Sequence, residues 1–463
     1  MKKIKIGFLP LYIKLYDDSC GELRPKLEAF YDEMAGILEN KGIDVIRTPF
    51  CRLANEFQNA VDTYEKEGAD CIVTLHMAYS PSLESADALI NTKLPIVVMD
   101  TTMTYEFTPQ TINDELDYNH GIHGVMDFCN LLKRGRKEYA IACGHYKESN
   151  VVDETINFVK AAMAANSAKG SKVGVFGGSF AGMGDFIVTP EEMMENFGVT
   201  FIESKSDEMR QITQSITDEE IEAEMKANEE YFDFPIEIGE DVYRLNIRAC
   251  LAMRKWIEKE KLDAFSMNFL KACPAYGIDT MPFIEACKAM TRGIGYAGEG
   301  DAMDAVFCGA LIRAFGNASF VEIFCPDWKN DILFLSHMGE MNYKVAQYKP
   351  EIRLRGSNYV DSVLPMAGYS RYKAGNAVYI NIFRDAEGFC LLASDVEMLN
   401  FEDDYDQYKR TIRGWMKPSI PVKDFLRKLS EHGATHHSLL VYDVTPEQMM
   451  YFGKLLNMKV YKI

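Results

Sequence analysis

Three positions in the second half of the chain carry side chains that could do chemistry together. In Gly293-Ile-Gly-Tyr-Ala-Gly-Glu-Gly-Asp301 one carboxylate, Glu299, is set among four glycines between an apolar run and a predicted helix start near Asp301. Glycines allow close backbone approach and unusual φ/ψ, which a plain solvated turn would not need so densely. In Ala318-Ser-Phe-Val-Glu-Ile-Phe-Cys325 a second carboxylate, Glu322, lies inside an otherwise apolar strand. Burying it unpaired is expensive, so it calls for a proton, a metal, or a neighbouring Lys or Arg in the sheet. Ile332-Leu-Phe-Leu-Ser-His-Met338 ends an apolar strand in an imidazole, His337. A Glu2His or Glu2His2 set suits a divalent ion such as Mn2+ better than a structural Zn2+, which prefers thiolates. Two carboxylates at one metal could also act on a bound hydroxy-carbonyl compound. One takes a proton from carbon while the other gives one to oxygen, and the metal polarises the oxygens.

Only eight histidines occur in 463 residues. His432, His436 and His437 cluster near the end, while His76, His145 and His337 stand alone. His120 and His123 are three apart within a predicted helix, 119–134, so both could share one side of it. For a lone case such as His76 a hydrogen-bonded, half-buried imidazole is the plainer reading. The glycine run Val175-Phe-Gly-Gly-Ser-Phe-Ala-Gly-Met-Gly184 follows a predicted strand but lacks the G-x-G-x-x-G register and any closing Gly-Lys-Ser/Thr, so it reads as a tight, ligand-facing loop. No G-x-S-x-G elbow and no H-E-x-x-H occurs, which weakens the serine-hydrolase and zincin readings.

These groups must be held by alternating elements. Short apolar runs predict strands over 4–9, 44–47, 70–75, 95–99 and 139–143. Between and after them, helical spacing covers 22–41, 54–67, 83–90, 119–134 and 151–168. Such alternation implies right-handed βαβ units, a parallel sheet, and ligands at the carboxyl ends of strands. A small-polar stretch at 166–172 marks a boundary. A second cycle follows, with strands at 172–176, 199–203 and 263–267 and a helix after Pro282. Past about residue 316 the texture becomes β-rich, at 319–324, 332–336, 377–383 and 388–393, with a helix at 422–432. The expected architecture is α/β: two Rossmann/flavodoxin-like doubly wound domains, 1–169 and 170–316, followed by a C-terminal β-barrel-like domain, 317–463.

Fifty Lys+Arg against 69 Asp+Glu give a formal charge of −19, so the chain lacks the basic footprint that binding to nucleic acid or an anionic membrane requires. Eleven scattered cysteines, with no C-x-x-C, sit mostly in apolar runs and point to a reducing compartment. The start alternates like a strand, not a signal peptide, and no apolar run is long enough for a membrane span. A cytoplasmic protein is expected.

Taken together, the motifs resemble the L-arabinose isomerase/L-fucose isomerase family, most closely its arabinose branch. Ile72-Val-Thr-Leu-His-Met-Ala-Tyr-Ser-Pro81, Asn119-His-Gly-Ile-His-Gly124, Gly144-His-Tyr146, Ala264-Phe-Ser-Met-Asn-Phe269, Gly298-Glu-Gly-Asp301, Ser319-Phe-Val-Glu322, Ser336-His-Met338 and Gly433-Ala-Thr-His-His437 occur in the family's order with similar spacing. The resemblance implies an aldose–ketose isomerase working through a cis-enediol, with Mn2+ held by Glu299, Glu322, His337 and His437. Glu299 and Glu322 would also move the proton between C1 and C2. By the same resemblance His123 is similar to a histidine lent to the sugar site by a neighbouring subunit, implying a trimer or hexamer. Tyr79 and Phe269 would be aromatic walls, with Met183 and His436 further substrate-binding candidates. Where the arabinose branch has Met-Arg-Glu this chain has Met183-Gly-Asp185; Ile323-Phe324 also departs from the pattern. A modified hexose, 6-deoxy or 6-sulfo, is therefore an alternative substrate. The rival from another class is a non-catalytic sugar-binding protein.

Overall fold

Short strands rich in Val, Ile and Cys, flanked by amphipathic helices, build the first part of the chain. The computed structural model describes residues 3–356, 359–401 and 406–463. Two compact units emerge, Met1–Met163 and Ala164–Ile463. In the first, β1 (Lys5–Leu11), β2 (Asp44–Arg47), β3 (Cys71–His76), β4 (Ile96–Asp100) and β5 (Tyr139–Cys143) form a parallel sheet of order β2-β1-β3-β4-β5. This is the flavodoxin-like order, in which chain direction across the sheet reverses between β1 and β3. Every residue of β3 is buried, as expected for a central strand with helices on both faces. Helix Ala54–Glu67 shows how local sequence sets the elements. Glu56 accepts the Leu53 N–H at its start, and Gly68, at φ 72°, ends it.

The second unit opens with another parallel sheet. β6 (Lys172–Phe176), β7 (Thr200–Glu203), β8 (Ala264–Met267) and β9 (Gly295–Gly298) run in the order β7-β6-β8-β9. Helix Ala302–Phe315 follows β9 and is buried along almost its whole length. It packs on β8 and β9 and also on strands of the next sheet, so apart from Asp304 and Arg313 it is apolar on every side, as an enclosed helix is expected to be.

That next sheet closes on itself. β10 (Ala318–Asp327), β11 (Ile332–His337), β14 (Gly375–Asp385), β15 (Gly388–Met398), β16 (Ile412–Pro418) and β17 (His437–Tyr442) pair antiparallel in the ring β14-β17-β10-β11-β16-β15, and the β14–β15 hairpin completes it. Closure removes the exposed edges an open sheet would present. β12 (Glu351–Leu354) and β13 (Met366–Tyr369) form a separate antiparallel pair, and β18 (Lys459–Lys462) adds parallel to β15.

The α/β class with a C-terminal barrel is as the sequence implies. One expectation fails. The helix read over 119–134 is broken: a single turn, Leu116–Asn119, ends before His120, and a new helix runs Ile122–Arg134. His120 and His123 therefore do not share one helix face, although their rings lie 5.2 Å apart across the break. Glycine at 121 is the reason for close packing there, since a Cβ would meet the His76 carbonyl oxygen at 2.8 Å.

Candidate active site

The site is built where β9 turns into the buried helix. Glu299 adopts φ 63° and Gly300 φ 85°, after which the Asp301 side chain caps helix Ala302–Phe315 by accepting the Asp304 N–H at 2.9 Å. A left-handed glutamate costs on the order of 1–3 kcal/mol and persists only where its surroundings fix it. Here the Phe180 N–H donates to the Glu299 carbonyl at 2.8 Å. Gly298 is required by close approach, because a Cβ there would lie 2.4 Å from Cε1 of His337.

The barrel supplies the other groups. Glu322 on β10 is the register partner of His437 on β17 and of Ser336 on β11, and His337 ends β11 beside it. His337 Nε2 is 3.8 Å from Glu322 Oε2, and His437 Nε2 is 3.4 Å from Glu299 Oε2. One ligand atom each from Glu299, His337 and His437 all fall within 4.8 Å of one another. The ring of Phe320 meets both imidazoles edge-on, at 4.8 and 4.9 Å between centroids, and backs the cluster with apolar surface.

Each imidazole is aimed by a buried carboxylate. His437 Nδ1 lies 2.9 Å from Asp301 Oδ2, and His337 Nδ1 lies 2.7 Å from Glu340 Oε2. Glu340 also accepts from the Tyr296 hydroxyl at 2.9 Å and from the Gly339 N–H at 2.8 Å. An Nδ1–H donated to a carboxylate leaves Nε2 to carry the lone pair, the arrangement typical of metal-binding histidines. His437 Nε2 is fully buried and makes no hydrogen bond.

Electrostatics follow from this geometry. Burial opposes charge on His437, but Asp301 and Glu299 outweigh it and push the imidazole up to about 10, so Nε2 gives its lone pair to a cation that displaces its proton. Burial would raise Glu299, yet His436 and His437 hold its carboxyl down at about 2. Glu322 shifts upward because burial outweighs the pull of His337 and His437. Asp304, wholly buried beside Asp301 with neither oxygen hydrogen-bonded, is raised well above the carboxylate range by burial first and by Asp301 second. Counting the orienting Asp301 and Glu340 with Glu299 and Glu322, four carboxylates surround the imidazoles of His337 and His437, so the centre favours a cation. Its oxygen and nitrogen donors, the unpartnered His437 Nε2 and the two orienting carboxylates fit a divalent metal.

His436, next along the chain, faces Glu299 with Nε2 at 3.6 Å while Asp185 holds its other side. Met183 is half-buried on the same glycine-rich loop, and Phe269 stacks on Phe180 at 5.4 Å beside it. Tyr79 and His123 belong to the first unit, where their rings stack at 5.0 Å and Tyr79 donates to Asp127 at 3.2 Å. His76 there is buried with neither ring nitrogen hydrogen-bonded, and burial lowers it to about 3, unlike the hydrogen-bonded imidazole expected for it. Sequence reasoning did not single out Asp301, Glu340 or Asp185. Asp301 enters there only as a helix start and Asp185 only within Met183-Gly-Asp185, while Glu340, three residues after His337, is passed over.

A carboxylate–imidazole centre held between a parallel α/β sheet and a closed barrel places the protein among the aldose–ketose isomerases once its relatives are considered. The chain belongs to the L-arabinose isomerase family. The L-arabinose isomerase central domain matches residues 187–315 and its C-terminal domain residues 317–459, together more than half of the chain. The L-arabinose isomerase of Herpetosiphon aurantiacus is 23% identical over 443 residues, covering 91% of this chain and 86% of that protein. The enzyme of Saccharophagus degradans is 22% identical over 93% of this chain and 86% of its own length. That of Shouchella clausii is 22% identical over 84% and 80%. Among solved structures, an ABC-transporter solute-binding protein from Burkholderia multivorans aligns with a TM-score of only 0.20 at 13% identity, covering 68% of this chain and 94% of that one. No helix among the described residues is long and apolar enough to cross a membrane.

Proposed function

We propose that the protein interconverts an aldose and its ketose through a cis-enediol, with Glu299, Glu322, His337 and His437 holding a divalent ion, Mn2+ by preference. The observation that carries this reading is the convergence of Glu299 and Glu322 on two imidazoles whose Nδ1 atoms are each fixed by a buried carboxylate. When bound, the ion would polarise the O1 and O2 oxygens of an open-chain sugar. One carboxylate removes the proton from C2 and returns it at C1, while the other serves the proton moving between O1 and O2.

His436, 3.6 Å from Glu299, and with it Phe269 and Met183 are the sugar contacts proposed for this unit. Tyr79 is an aromatic wall of the pocket, and His123 is a contact made across subunits of a trimer or hexamer. Exposed Leu83, Ile122 and Met126 on the first unit support such an assembly. The division into 1–169, 170–316 and 317–463 is kept for the domains, supported by the change from parallel to antiparallel pairing after residue 316. A cytoplasmic site of action accords with eleven unpaired cysteines.

The deciding experiment strips the protein with EDTA and assays ketose formation from a panel of neutral, 6-deoxy and 6-sulfo aldoses, L-arabinose included, with and without Mn2+. Ion-restored ketose formation supports the reading and names the sugar. Sugar binding without conversion across the panel would favour a binding protein instead.

A further inference from the structure

The glycine-rich loop after β6, residues 177–189, which carries Met183, grips the site at two points. At one end Ser179 donates to the Gly300 carbonyl at 3.0 Å, and the Phe180 N–H donates to the Glu299 carbonyl at 2.8 Å. A Cβ on Gly300 would lie 2.4 Å from the Gly178 carbonyl oxygen, so loop and turn are in direct backbone contact. At the other end a single Asp185 oxygen, Oδ2, takes both the backbone N–H of His436 at 2.9 Å and its ring Nδ1 at 2.7 Å. Phe186 is buried between these features, with its ring parallel to that of His437 at 4.8 Å and 5.6 Å from that of His436.

His436 is thereby fixed from three directions. Asp185 holds Nδ1, Phe186 lies against the ring, and the chain leads straight into His437 and β17. Its remaining nitrogen, Nε2, is 3.6 Å from Glu299 Oε2, and about a third of the side chain is open to solvent. His436 is outside the trio whose ligand atoms converge within 4.8 Å, and the proposed ion set of Glu299, Glu322, His337 and His437 does not use it. A half-exposed imidazole with one nitrogen anchored on a carboxylate and the other facing a reacting carboxylate is well placed to hydrogen-bond a sugar hydroxyl. A free imidazole would spread over rotamers and tautomers; an anchored one presents a single Nε2.

We infer that Asp185 is a positioning residue for the isomerisation: by taking the Nδ1–H of His436 it fixes the ring so that the Nε2 lone pair, beside Glu299, accepts from a hydroxyl of the bound open-chain sugar. This rests on the isomerase reading above. Asp185 does not touch the reacting atoms, and its effect passes wholly through the His436 ring. A merely structural role makes a different claim. Asp185 also tethers the loop through the His436 backbone N–H, a contact that survives when the imidazole is removed.

The test is a double-mutant cycle of Asp185→Ala and His436→Ala, read as kcat/KM on L-arabinose and on whichever panel aldose is turned over fastest. Calorimetry with Mn2+ alone checks the ion site. Asp185→Ala is expected to lower kcat/KM about tenfold, with kcat falling more than KM rises, and to leave Mn2+ affinity within about twofold. In the His436→Ala background the same substitution should cost almost nothing, and Asp185→Glu should restore part of the loss. Losses that multiply in the double variant, or a Mn2+ affinity that falls tenfold, would overturn the proposal, because the loop tether or the ion site would then carry the effect.

A second readout does not depend on turnover. In 15N-histidine-labelled protein, the His436 ring signals, assigned by their loss in His436→Ala, should show a fixed Nδ1–H form that Asp185→Ala converts to an averaged one. Unchanged ring signals would refute the anchoring. A wild-type protein inactive on every aldose would sink the isomerase reading, while the ring signals would still decide the Asp185–His436 pair.

Discussion

Glu322 on β10 and His437 on β17 are direct register partners in the antiparallel ladder of the barrel. Neighbouring positions of that kind point to the same face of a sheet with Cβ atoms about 5 Å apart. The pair is thus set by the ladder and not by loop conformation, and a closed ring of six strands holds it. Glu299 comes to the same place from the parallel sheet, through a left-handed turn that Phe180 and Asp301 fix from either side.

The buried carboxylates behind the imidazoles should matter nearly as much as the ligands. Asp301→Asn and Glu340→Gln each remove the negative charge that holds an Nδ1–H, and each should weaken Mn2+ binding by about 10- to 100-fold. Calorimetric titration with Mn2+ measures this directly, with thermal unfolding run alongside. Wild-type affinity in both variants would mean that the imidazoles are oriented without them.

Gly298→Ala should damage the site while sparing the fold. The added methyl meets the His337 ring at 2.4 Å with nowhere to go, so the imidazole must turn away from its place beside Glu322. Overpacking of this kind costs about 1–3 kcal/mol. The expected result is a drop in Mn2+ affinity of at least tenfold together with a far-UV spectrum like that of the wild type. Full affinity would show that His337 can shift and still bind.

Sequence reached much of this arrangement for one physical reason: a charge inside an apolar strand is visible locally. Glu322 stands out in Ser319-Phe-Val-Glu322 and His337 at the end of an apolar run, while the glycines around Glu299 announce a tight turn. The partners of these residues were not visible, because they lie far away in the chain. Asp301 meets His437 across 136 residues and Asp185 meets His436 across 251. The Met183-Gly-Asp185 segment stands out against the family pattern, but nothing local says that Asp185 meets His436. The His120/His123 helix was misread because helical spacing persists through Gly121, whereas the backbone breaks there to pack on His76. The β12–β13 pair and the barrel strand β16 were missed because they are short or interrupted by Gly and Pro.

Away from the site, Glu224 makes a prediction about acid stability. Arg254 donates to both its oxygens at 2.8 Å and also reaches Glu285, while Lys288 donates to Glu224 at 2.7 Å. Burial would raise Glu224, but these cations outweigh it and hold its carboxyl at about 2, against an ordinary 4.5. A depressed carboxyl contributes its stability above the unfolded value and loses it as pH falls through the folded one. The contribution is therefore complete above about pH 4.5 and fades between there and pH 2. Glu224→Gln should destabilise the protein by about 3 kcal/mol at pH 7, the low end for breaking one side of a buried ion pair, and should flatten the acid limb of the stability profile. Denaturant unfolding across pH 3 to 7 checks both. Parallel profiles for the two proteins would contradict the assignment.

The central claim is that Glu322 and Glu299 move a proton on a sugar carbon when a divalent ion is present. It is tested most directly by solvent deuterium exchange at C2 of the panel aldoses, comparing wild type, Glu322→Gln and Glu299→Gln, each stripped with EDTA and then supplied with Mn2+. The account predicts exchange in the wild type only with Mn2+, a loss of at least a thousandfold in both variants, and a thermal midpoint in Glu322→Gln close to that of the wild type. Exchange at the wild-type rate in either variant, or exchange that persists after the ion is stripped, would contradict it.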